Sequence, residues 1–136
     1  TIGIEAVVWG PHLWYFLHSI CINYPDKPKK SEITAMKRAI ESISDVIPCE
    51  ICKEHFKNAI DYGIKDKNGK ILIEKLSYNI LDSRKTLFKW MYNFHDFVNK
   101  YKKIDDGSSR TISPPYESVV NYWNTQLINE EDILLI

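Results

Sequence analysis

Apolar side chains recur every three or four residues along separate stretches of this chain, and proline or Gly/Asn/Asp clusters interrupt them. Spacing of that kind follows the 3.6-residue repeat of one helix face, so each stretch is committed to an amphipathic helix with a side to bury. The first, over residues 10–23, carries Leu13, Leu17 and Ile20, with Tyr24 just beyond. It ends at Tyr24-Pro25-Asp26-Lys27-Pro28, where proline cannot extend it. Ser31 is placed to cap a second helix with the stripe Ile33, Met36, Ile40, Ile43 and Ile47. Pro48 suits the first turn of a third, which bears Cys49, Cys52, Phe56, Ala59 and Ile60. Ser83 caps a fourth, with Leu87, Trp90, Met91, Phe94, Val98 and Tyr101. A short fifth follows Ser113-Pro114-Pro115 and runs through Tyr122 and Trp123. Between residues 61 and 82 the pattern weakens. Asp66-Lys67-Asn68-Gly69-Lys70 is a turn signal there, and Ile71-Leu72-Ile73 is a short strand or a packed loop. The expected class is all-α: a four-helix bundle with a short fifth helix.

A length of 136 residues is that of one domain, taken as 1–136 with its core at 9–127. Apolar residues at 44% and charged residues at 26% are ordinary for a globular protein. The 18 basic and 18 acidic side chains cancel, which argues against nucleic acid as the main partner. No apolar run approaches the roughly 20 residues that cross a bilayer, so no membrane partner is expected. No secretory signal is visible, and a start at Thr1 fits a trimmed chain or a removed initiator Met. The 3 cysteines are too few and too odd in number for a disulfide scaffold. Two of them, Cys49 and Cys52, form a C-x-x-C.

Two thiols three residues apart at a helix start can close a small disulfide ring or chelate one metal. The positive end of the helix favours thiolate, which both chemistries require. Three readings stay open on this pattern. Cys49, Cys52 and His55 supply a C-x-x-C-x-x-H for zinc, giving a zinc-stabilised helical adaptor with no enzymatic activity. Structural zinc wants four ligands, however, and only Cys21, His12, His18 and His95 are left to complete the set. A thioredoxin-like exchange centre belongs to a βαβ context, which the helical pattern does not provide. The third reading is a disulfide coupled to an electron-accepting cofactor, and it demands a surface for a planar ring system elsewhere in the bundle.

Such a surface is available. Gly10, Trp14 and His18 recur every four residues on the first helix, with Cys21 nearly one turn on. Glycine admits close approach, Trp14 a stacking plane and His18 a hydrogen bond. Tyr92, His95, Asp96 and Asn99 make a polar and aromatic stripe on the fourth helix. The plainer alternative makes Trp14 and Trp90 core, the histidines satisfied and partly buried, and Asn99 a solvated surface residue.

Three motifs bear on the choice. Trp9-Gly10-Pro11-His12-Leu13-Trp14-Tyr15-Phe16-Leu17-His18, then Tyr24-Pro25, resembles the opening of the Erv/ALR family of FAD-linked sulfhydryl oxidases. Pro48-Cys49-Glu50-Ile51-Cys52 is similar to that family's redox-active P-C-x-x-C. Ser83-Arg84, Trp90 and Phe94-His95-Asp96-Phe97-Val98-Asn99 resemble its S-R…W…F-H-N-x-V-N helix. The motifs occur in family order and cover most of residues 9–99.

The resemblance implies FAD bound at the mouth of a four-helix bundle. Cys52 would lie against the flavin and Cys49 would form the mixed disulfide with incoming dithiol. Trp14 and His18 would contact the flavin and its ribityl-phosphate region, beside Gly10. His95 and Asn99 would hold the adenosine end, with Tyr24 and Val98 nearby. Asp96 stands where the family usually has Asn, and Tyr92 where it often has Cys, so an extra structural disulfide is missing. Lys103, with Lys102, arrives early in register for a lysine at the phosphates. Also implied are dithiol protein substrates, molecular oxygen as acceptor with hydrogen peroxide as product, and a homodimer packed through the first helices. The reduced cysteine set and the Ile-, Lys- and Asn-rich usage resemble versions from large DNA viruses. An intracellular setting follows: host cytoplasm or virion for a viral protein, the mitochondrial intermembrane space for a cellular one. Cys21 is read as packing, with an intersubunit or shuttle thiol as its alternative.

Overall fold

The computed structural model describes residues 3–101 and 112–128. The elements are α1 (Ala6–Ile22), α2 (Lys30–Val46), α3 (Glu50–Asp61), β1 (Ile64–Lys65), β2 (Ile71–Ile73), α4 (Tyr78–Leu81), α5 (Arg84–Tyr101) and α6 (Tyr116–Asn124). Four long helices and a short terminal one match the all-α expectation, with a single helical turn, α4, added between them. α1 packs chiefly on α5 and α2 on α3, while α6 closes over α1.

Local chemistry explains most of the boundaries. α1 begins at Ala6, a turn earlier than its apolar stripe suggests, and takes Pro11 inside the helix. Ser31 does not cap α2; the N-cap is Lys29, and Glu32 reaches back to accept from the Lys29 backbone N–H at 2.8 Å. A carboxylate three residues into the helix satisfies that donor, so the serine is free to lie within the first turn. Ser83 does cap α5, its Oγ accepting from Thr86 N at 3.2 Å.

The weakly patterned segment folds as an antiparallel hairpin, β1 against β2. Asp66 Oδ1 accepts from the N–H groups of Asn68 and Lys70 at 2.8 and 2.9 Å, and Gly69 supplies the positive φ that the turn needs. At Gly63 the demand is steric as well: a Cβ would lie 2.5 Å from the Ile73 carbonyl oxygen. Trp90 anchors the hairpin to α5, its indole N–H donating to the Glu74 carbonyl at 2.6 Å. The fully buried layer between the helices includes Leu17, Cys21, Ile40, Leu76, Leu81, Leu87, Met91 and Phe94. Cys21 is thus a packed residue, and burial pushes its thiol up to about 12.

Candidate redox and cofactor site

Cys49 is the N-cap of α3 and Cys52 lies in its first turn, bringing their Cα atoms to 5.2 Å, and the two sulfurs form a disulfide. Cys49 Sγ also accepts from the Cys52 backbone N–H at 3.2 Å. Once the pair is reduced, that N–H and the helix terminus favour negative charge at Cys49. The two cysteines differ in surroundings. Cys52 packs against the core cluster, whereas Cys49, half-buried, is outside it. His55 is exposed, one turn beyond Cys52. Among the described residues no three or more His, Cys, Asp or Glu side chains converge as a metal site. The zinc reading therefore lacks its ligand set.

The aromatic faces of α1 and α5 meet as the alternation of residues requires. Trp14 stacks on His95 with ring centroids 4.2 Å apart and planes 14° apart, and it meets Phe94 edge-on at 5.6 Å. His18 lies 5.5 Å from His95 and runs parallel to Trp123 of α6 at 6.2 Å. Trp123 completes this cluster, and sequence reasoning had no basis for assigning it beyond an aromatic on the last helix. Phe94 continues to Phe56 of α3 at 5.0 Å, which links the Trp14 cluster to the helix that carries the disulfide.

The histidines are electrically quiet. His18 Nδ1 lies 2.7 Å from the Trp14 carbonyl oxygen. A carbonyl only accepts, so Nδ1 carries the proton and Nε2 is left as an acceptor. Burial lowers the pKa of His18, and the bond to Trp14 only partly opposes it. Burial, reinforced by His18, pushes His95 down to about 4. Both rings are neutral near pH 7. Protonation is resisted in the folded chain and free in the unfolded one, so stability is full above pH 6.5 and falls as the pH drops towards 4. For His95, discounted for partial exposure, the loss is about 2 kcal/mol. In melting curves of the cofactor-free protein between pH 7 and 4.5, His95→Gln should flatten this decline; an unchanged slope would show that His95 is not its source.

The remaining α5 residues serve α6. Asp96 pairs with Lys100 at 2.8 Å, and Asn99 Nδ2 donates to Ser113 Oγ at 3.0 Å. Burial pushes the Asp96 carboxyl up, but hydrogen bonds from Lys100 and Ser113 more than reverse this. These two residues therefore hold the segment that leads into α6. Val98 is half-buried and packs against the core. Tyr92 donates to the Pro114 carbonyl at 2.6 Å, so it ties the same segment where a cysteine was missed. Tyr24 is buried, with its hydroxyl donating to the Leu81 carbonyl at 2.6 Å; its own carbonyl accepts from Arg84 Nε at 2.6 Å. It latches the end of α1 to the start of α5. Lys102 and Lys103 lie outside the described residues.

Room for a planar group is visible at one position. Gly10 is buried in α1, yet a Cβ added there would meet nothing within 4 Å. Open space at Gly10, one turn from Trp14 on the same face of α1, fits the close approach of a ring system such as a flavin.

A family model described as Erv1 / Alr matches residues 11–115. The chain belongs to the Erv1/Alr family. Its relatives include a protein of Invertebrate iridescent virus 3 named as a FAD-linked sulfhydryl oxidase, 26% identical, with 98% of this chain and 90% of that one aligned. The mitochondrial FAD-linked sulfhydryl oxidase ERV1 of Saccharomyces cerevisiae is 28% identical over 67% of this chain and 41% of its own length. Among solved structures, the yeast Erv1 core superposes with a TM-score of 0.60 at 21% identity, covering 93% of this chain and 86% of that one. This likeness shows that the present chain shares its helical fold with the yeast Erv1 core.

Proposed function

We propose that this Erv1/Alr chain is a FAD-linked thiol oxidase that makes disulfide bonds in dithiol proteins. The single observation that carries the reading is the Cys49–Cys52 disulfide at the start of α3, joined through Phe56 and Phe94 to the Trp14 cluster. A substrate thiolate attacks Cys49, a substrate–Cys49 disulfide forms, and Cys52 leaves as thiolate. The second substrate thiol then attacks the substrate's own sulfur in that mixed disulfide. Substrate disulfide is released, and two electrons stay on the Cys49/Cys52 pair. The difference in packing supports this order, since both cysteines are half-buried but only Cys52 packs against the core cluster.

Bound FAD supplies a two-electron acceptor for the reduced pair, with molecular oxygen beyond it giving hydrogen peroxide. Gly10 leaves space for the group one turn from the stacked Trp14 and His95 rings. His18 presents Nε2 as an acceptor. Val98 contributes apolar contact on α5, while Asp96, Asn99 and Tyr24 set the positions of α6 and of the α1–α5 seam. Lys103 is assigned to the phosphates by family position alone. The exposed Val8 and Phe16, about two turns apart on one side of α1, support a homodimer formed through that helix. Among the described residues no helix is long and apolar enough to cross a membrane, and the viral and mitochondrial relatives support an intracellular setting, in host cytoplasm or virion for the viral kind.

Purified protein should be yellow, carry stoichiometric FAD and oxidise dithiothreitol. Gly10→Leu should keep the fold, because a Cβ there meets nothing within 4 Å and leucine favours helix over glycine by up to about 1 kcal/mol. The same substitution should empty the protein of flavin. A colourless protein holding stoichiometric zinc would overturn the reading.

A further inference from the structure

The chain's N-terminal segment is fastened beside the redox disulfide. Ile4 N–H donates to the Pro48 carbonyl at 2.9 Å, and the indole N–H of Trp9 donates back to the Ile4 carbonyl at 2.8 Å. Gly3 passes so close that a Cβ there would lie 3.1 Å from the Pro48 oxygen. The peptide immediately before Cys49 is therefore paired with an extended strap, and the strap brings Ile4 to the site.

Ile4 is not the only aliphatic side chain left in solvent there. Val46, three residues before Cys49, is 76% exposed, Ile51, between the two cysteines, 68%, and Ile4 53%. Two of the nearby lysines are paired, Lys57 with Asp45 and Lys53 with Glu50 at 3.3 Å. The result is an apolar rim beside the half-buried Cys49. Thiol–disulfide exchange forces the incoming chain to bring its sulfur into contact with Cys49, so whatever flanks that sulfur is laid over this rim.

Resting on the thiol-oxidase reading, we infer that Ile4, Val46 and Ile51 form a recognition rim that selects polypeptide thiols flanked by aliphatic side chains. The strap, held by Trp9, adds Ile4 beside Pro48 to Val46 of α2 and Ile51 of α3. Small hydrophilic thiols meet Cys49 without using the rim. Each aliphatic group covered by a substrate removes apolar area from water, so the preference resides in KM.

The test compares three substrates on the flavin-loaded protein: dithiothreitol, a Cys-Ser-Gly-Cys peptide flanked by leucines, and the same peptide flanked by serines. Wild type should favour the leucine peptide by about tenfold in kcat/KM, from the apolar area covered. The double substitution Ile4→Ser, Val46→Ser lies outside the cysteine dipeptide and keeps the Ile4 backbone bond. It should raise KM for the leucine peptide to that of the serine peptide, with kcat and the dithiothreitol rate unchanged. Trp9→Phe, which removes the N–H that fastens the strap together with part of the ring packed on the core, should move KM in the same direction. Equal rates for the two peptides in wild type would overturn the rim, as would a parallel loss on dithiothreitol. A change in sedimentation with peptide kinetics unchanged would make this face a contact between copies and would also overturn it. Absence of dithiothreitol oxidation by wild type would instead bring down the oxidase reading beneath it.

Discussion

Cys52→Ser should abolish turnover with any thiol and leave the flavin oxidised on addition of dithiothreitol. Without the second sulfur no internal disulfide exists to be attacked, and no core-facing thiolate is generated by exchange at Cys49. Cys49→Ser should also stop turnover with protein substrates, but by a different failure. Cys52 is retained against the core in that variant, so its thiolate should perturb the long-wavelength flavin spectrum. The pair of variants thus separates entry at Cys49 from electron transfer at Cys52. Stopped-flow absorbance reads both, and full turnover by Cys52→Ser would rule out the assigned order. Cys21→Ser is the control, since a thiol held near 12 and buried in the core has no thiolate to offer.

Phe94→Ala should have the largest effect on stability. Its ring is fully buried and touches Trp14 of α1, Phe56 of α3 and Trp90 of its own helix, at 5.6, 5.0 and 5.6 Å. Truncation leaves a cavity at the junction of three helices, at a cost of about 3–5 kcal/mol. That is a large share of the roughly 5–15 kcal/mol that holds a domain of this size. Urea unfolding of the purified variants checks it. Ile112→Ala, at an exposed position, should stay within about 0.5 kcal/mol of wild type. A loss below about 1 kcal/mol for Phe94→Ala would mean the surrounding rings collapse into the gap. Because Phe94 also joins the disulfide helix to Trp14, flavin content should fall with stability in this variant, whereas Gly10→Leu should uncouple the two.

Pro48, expected in the first turn of α3, precedes its N-cap Cys49, and two further departures in the helices have local causes that spacing alone does not express. The apolar stripe of the first helix starts at Leu13, but backbone hydrogen bonding extends the helix back to Ala6, since the first turn needs no buried face. Ser31 and Lys29 compete for one boundary, and Glu32 decides it by reaching back to Lys29 rather than by any property of the serine. The hairpin after α3 was weak in pattern because its strands are only two and three residues long, too short for a period of two to register.

Sequence by itself determined the helices, the turn at Asp66, the C-x-x-C at a helix start and the family, because periodicity, capping and motif spacing are encoded within a few residues of one another. Tertiary structure decided the pairings across distance: Trp14 on His95, Trp123 beside His18, Ser113 held by Asn99, Tyr24 locked to Leu81. It also brought Ile4 to Pro48. Apart from Asn99 and Ser113, which are 14 residues apart, these partners lie from 44 to 105 residues apart in the chain, and only the close packing of helix on helix selects which rings and carbonyls meet. The neutral state of the two histidines has the same origin, since burial sets it and no residue type announces burial.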